Sequence, residues 1–97
     1  MTLEKDGIDY SIPFEVDRIF QEYNTVYKNK ICIEWSQIRA LEEVPKGHPT
    51  NQRWEKYIEV EKFCLFTYTD QYMIIGSYKE AVKKWKTFKK LMYEKFN

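Results

Sequence analysis

The sequence predicts an α+β fold: an antiparallel sheet of three to five strands, with an N-terminal and a C-terminal amphipathic helix packed on it. Three observations carry this expectation. Residues 13–27 and 78–96 repeat apolar side chains at three- and four-residue spacing. Residues 31–35 and most of 54–75 repeat them at two, and a Ser-x-x-Glu capping sequence, Ser77 to Glu80, stands at the start of the second helical stretch. A chain of 97 residues has room for one core, so 1–97 is expected to be a single domain. Its 43% hydrophobic content, with three Trp, eight Tyr and six Phe, fills that core without a metal or a disulfide framework. A sheet closed toward a small barrel with a terminal helix is the alternative architecture.

Asp6-Gly7 supplies the positive φ angles of a tight turn, so Thr2–Ile12 is expected to form a short hairpin. From Pro13, residues Val16, Ile19, Phe20, Tyr23, Val26 and Tyr27 follow helical spacing, with Glu15 and Asp17 near the positive end of the helix dipole. This predicts a helix over 13–27. Ile31, Ile33 and Trp35 alternate with Cys32 and Glu34 as in a strand. Residues 36–44 fit either a helical turn capped by Ser36 or a strand, with the helical turn preferred. Pro45–Gln52 holds two prolines and a glycine and predicts a loop. Ile58, Val60, Cys64, Phe66 and Tyr68 put one long strand, or two, over 54–69, interrupted at Lys62 by a bulge or bend. Thr69-Asp70-Gln71 turns that strand back into Tyr72–Ile75, and Gly76 ends the hairpin before the helix over 78–96.

Charge is the most informative functional feature. The formal net charge is only +1, which argues against a wholesale acidic mimic of nucleic acid and against a uniformly basic coat protein. Residues 77–97 hold seven lysines and two glutamates, a net +5, whereas residues 1–76 carry a net −4. At about 100° per residue, Lys79, Lys83, Lys86 and Lys90 fall on one stripe of the C-terminal helix, beside a core face anchored by Trp85 and Phe88. Four aligned ammonium groups suit phosphates or acidic side chains, and they are equally what a solvated helix face carries. A second candidate is the 45–54 loop with its flank. There Lys46, His48, Arg53 and Trp54 combine charge with a large aromatic, and Trp and Arg are the types enriched at interface hot spots.

No catalytic constellation is visible. His48 is the only histidine, the glycines are scattered at 7, 47 and 76, and no residues have metal-ligand spacing. Cys32 and Cys64 sit in apolar strand patterns and are expected to be reduced core thiols, with a bridge between them feasible only if their strands are neighbours. The first dozen residues hold no apolar run of secretory type, and no run approaches the roughly 18 residues that span a bilayer. The expectation is a cytoplasmic, non-enzymatic protein-binding module without cofactor, metal or membrane insertion: an inhibitor, adaptor or accessory regulator. Its 13 Lys against 3 Arg fit an AT-rich bacterial or phage genome. The alternative is a nucleic-acid-binding protein that uses the basic C-terminal helix.

Overall fold

The computed structural model describes residues 3–47, 56–57 and 59–96. Two short strands, β1 (Glu4–Lys5) and β2 (Ile8–Asp9), pair across the Asp6-Gly7 turn, whose φ angles are 53° and 79°. Then follow β3 (Phe14–Glu22), β4 (Thr25–Ile33), a single 3-10 turn (Trp35–Gln37), β5 (Ile38–Val44), β6 (Lys62–Thr67), β7 (Gln71–Ile75) and helix α1 (Tyr78–Phe96). Strands β3 to β7 form one sheet in the order β4-β3-β7-β6-β5, antiparallel throughout. The α+β class and the C-terminal helix stand as expected.

The N-terminal helix expected over 13–27 is absent: that stretch is β3, a two-residue turn at Tyr23-Asn24, and the start of β4. The physical reason is that β3 lies inside the sheet and buries residues on both faces. Val16 faces the core on one side while Ile19, of opposite parity, is only 2% exposed on the other. Apolar residues alternately filling two faces at 16, 19 and 20 imitate the three- and four-residue spacing of a helix. Residues 38–44 are strand and not helix, and only Trp35–Gln37 makes a helical turn. The break at Lys62 is where β6 begins, and the described residues from 56 to 61 lie in no strand.

The register requires the sheet to coil. Ile38 pairs with Thr67 at one end of β6, and the adjoining registers carry that row to the Tyr23-Asn24 end of the β3–β4 hairpin. Ile33, five residues before Ile38 in the connection, lies at the opposite end of β4 beside Phe14. In a flat sheet those points would be about 30 Å apart, from about 4.8 Å per strand and 3.3 Å per residue. The chain from 33 to 38 spans at most about 18 Å. The two edge strands therefore approach one another, and the sheet bends toward the barrel of the alternative architecture.

Inside the bend lie Val16, Ile33, Ile38, Phe63, Leu65 and Ile74, closed by Ala81 and Phe88 of α1. Trp35 is the hub of this core: its ring stacks on Phe14 at 4.4 Å, meets Tyr10 edge-on at 5.0 Å and lies 6.3 Å from Phe88. Burial pushes the Tyr10 phenol above its ordinary pKa of 10.0. Because the folded value is raised, its contribution is intact below pH 10 and is lost as pH climbs toward the raised value. The unfolding free energy of the wild type should fall more steeply above pH 10 than that of Tyr10→Phe, as alkaline urea titrations of the pair would show.

Helix α1 starts as the capping sequence predicts: the Glu80 N–H donates to Ser77 Oγ at 3.2 Å. Phe88 is buried as expected. Trp85 is only half-buried, with the Lys89 ammonium 3.8 Å from its ring centroid, so it flanks the core and is no equal anchor. Trp85→Ala should cost about 1–2 kcal/mol, the share of a partly covered ring, measured by denaturant midpoints.

Candidate protein interface

Continuing the β3–β7 register of Ile19↔Met73 sets Phe20 opposite Tyr72 and Glu22 opposite Asp70. The β3–β4 turn and the β6–β7 turn thus project at the same end of the sheet. The latter is closed by the Thr67 N–H donating to Asp70 O at 2.9 Å. This end gathers the exposed tyrosines of the sheet. Tyr23 at the hairpin tip is 92% exposed, Tyr68 in the neighbouring turn 68% and Tyr27 on β4 45%.

An arginine organises the same surface. Arg18 Nε donates to Asn29 Oδ1 at 3.1 Å, its guanidinium lies 4.3 Å from the Phe20 ring centroid and 5.9 Å from that of Tyr72, and Phe20 stacks on Tyr27 at 5.4 Å. The parity of the pairing places Arg18, Phe20, Tyr27, Asn29 and Tyr72 on the sheet face that also bears Val16 and Ile74, so the patch continues the core outward. On the other face at this end, Arg39 reaches to 6.0 Å from the centroid of Phe66. Planar, pre-positioned guanidinium and phenol groups lose little side-chain entropy on contact and present apolar area with a polar edge. Such a surface can bind a protein without chemistry.

Of the residues singled out from sequence, Lys79, Lys83, Lys86 and Lys90 are all exposed, and none forms an ion pair among the described residues. They lie directly opposite the Ala81–Phe88 core face, and not beside it. Lys46 is exposed just after β5, and His48, Arg53 and Trp54 lie outside the described residues. Cys32 is exposed on β4, contrary to the expectation of a core thiol, and Cys64 is half-buried on β6. Strands β3 and β7 intervene, so these two strands are not neighbours and both cysteines are free. Burial pushes the Cys64 thiol above its ordinary range, which leaves it protonated and a poor nucleophile at neutral pH.

The described residues hold no group of His, Cys, Asp and Glu suited to a metal ion, and no helix long and apolar enough to cross a membrane. Comparison with protein families, with curated proteins and with solved structures finds no match to this chain. Sequence reasoning missed Arg18, Phe20, Tyr27 and Tyr72 because it placed the first three on a helix and Tyr72 in a core strand. The alternation of Phe14 and Val16 with Glu15 and Asp17, followed by Thr25-Val26-Tyr27, was the available signal for strands.

Proposed function

We propose that the chain is a non-enzymatic protein-binding module, an inhibitor, adaptor or accessory regulator acting in the cytoplasm, and that it meets its partner through the tyrosine and arginine end of the sheet. One observation carries the reading: Arg18 is held by Asn29 against Phe20 and Tyr72 beside the exposed Tyr23, Tyr27 and Tyr68. Tyr and Arg dominate interface hot spots. The free, separated cysteines suit a reducing compartment. Affinity capture from the native cells, followed by titration of the recovered partner, tests the proposal. Arg18→Ala and Tyr27→Ala should each weaken binding by about 1–2 kcal/mol, while Lys46→Ala leaves it unchanged. Full affinity in both folded variants would remove this surface from the interface.

A second reading, nucleic-acid binding by α1, draws on the four exposed lysines opposite the core face, which form no ion pair among the described residues. If all four contact duplex phosphates, affinity should fall with salt with a log–log slope of about −3.6, from about −0.9 per contact. Anisotropy titrations with labelled oligonucleotides read the slope, and binding insensitive to reversal of the four charges would exclude it.

A further inference from the structure

Strand β4 is an edge of the sheet and bonds on one side only, to β3. The hairpin closes over two residues, so Glu22↔Thr25 is the pair that exchanges both backbone bonds, and the alternation continues through Phe20↔Tyr27 and Arg18↔Asn29. Tyr27 and Asn29 therefore direct their N–H and C=O groups to β3. Val26, Lys28 and Lys30 direct theirs to the open edge, and no backbone bond between elements among the described residues reaches them.

The side chains along that edge define what fits. Lys28 and Lys30 are both exposed on the face opposite Arg18. Lys30 Nζ lies 3.4 Å from Glu15 and 3.8 Å from Asp17, one strand further in, while Lys28 forms no ion pair among the described residues. A second copy pairing antiparallel through the middle of β4 would set lysine against lysine, a recognised device against edge-to-edge association. Carboxylates at alternate positions of an incoming strand would instead stand beside both ammonium groups, and the intervening side chains would meet Tyr27 and Asn29 on the face of the aromatic patch.

We propose that β4 accepts an extended acidic segment of the partner, with Asp or Glu alternating with apolar residues, as a sixth antiparallel or parallel strand. This rests on the protein-binding reading above and names the partner's chemistry. The test uses ¹⁵N-labelled protein and a capped seven-residue peptide, Thr-Val-Glu-Val-Glu-Val-Thr. Two controls accompany it, one with Lys in place of Glu and one with the backbone nitrogens of the central Glu-Val-Glu methylated, which removes the donors that an added strand needs in either direction.

The acidic peptide should slow amide exchange at Val26, Lys28 and Lys30, and the two controls should not. The double variant Lys28→Glu, Lys30→Glu should bind the acidic peptide about tenfold more weakly and prefer the lysine peptide. Protection of no β4 amide, equal binding of the N-methylated peptide, or shifts confined to the lysines of α1 would each overturn the proposal. With the native partner the two levels separate. Binding lost in Arg18→Ala but unaffected by the double reversal refutes the added strand and leaves the protein-binding surface standing. Binding unaffected by either removes that surface as well.

Discussion

Trp35→Ala is expected to destabilise the fold by about 3–5 kcal/mol, the range for removing a large buried aromatic ring. Trp35 is 3% exposed, and its ring meets those of Phe14 from β3, Tyr10 from the N-terminal segment and Phe88 from α1. Three separate parts of the chain thus lean on one indole, sited in the connection that obliges the sheet to coil. Its loss leaves a void that no single neighbour can fill, and a domain of this size has only about 5–10 kcal/mol in total. Urea midpoints read by far-UV circular dichroism test this. A loss below about 1 kcal/mol would mean that the coil is held elsewhere.

Lys62→Ala is expected to cost about 2–4 kcal/mol, although lysine is ordinarily a surface residue whose truncation changes little. Lys62 is 2% exposed on the sheet face away from α1, and its ammonium donates to the carbonyls of Tyr57 at 2.9 Å and Val60 at 3.5 Å. It pins the turn before β6 to the sheet, next to the Gly76 N–H bond to Glu61 O. Alanine removes the buried stem and the ammonium's hydrogen bonds, and Tyr57 O keeps only the Val60 N–H at 3.2 Å among the described residues. Lys62→Met keeps the stem and avoids burying a charge, so its cost should be less than half that of alanine. Denaturant midpoints for both, set against exposed Lys86→Ala, check the assignment. An alanine cost equal to that of Lys86→Ala would contradict it.

The parts of the fold legible in the sequence were those with local chemistry: Asp6-Gly7 for the first turn, Ser77 with Glu80 for the start of α1, and Gly76 ending β7. The β3–β4 hairpin was not legible because its turn residues, Tyr23-Asn24, lack the glycine that usually marks one, and Tyr23 adopts φ 56° without it. Two-sided burial at Val16 and Ile19 then completed the helical disguise. The lysine stripe was visible because periodicity on one helix is local information. The Arg18 surface was not, since it depends on β3, β4 and β7 being neighbours, and that is settled only by long-range pairing. Lys62 shows the same limit: its two-residue phase marked a break in the strand, but only the returning turn at Tyr57 explains why a lysine is buried there.

Residues 14–33 form a hairpin, and its Arg18 and tyrosine surface is the proposed binding site for another protein. Chemical-shift mapping of the ¹⁵N-labelled chain with its captured partner tests it most directly. Perturbations clustered at Arg18, Phe20, Tyr23, Tyr27, Tyr68 and Tyr72 are the predicted result. Perturbations confined to Lys79–Lys90 of α1, with the hairpin amides unmoved, would contradict it.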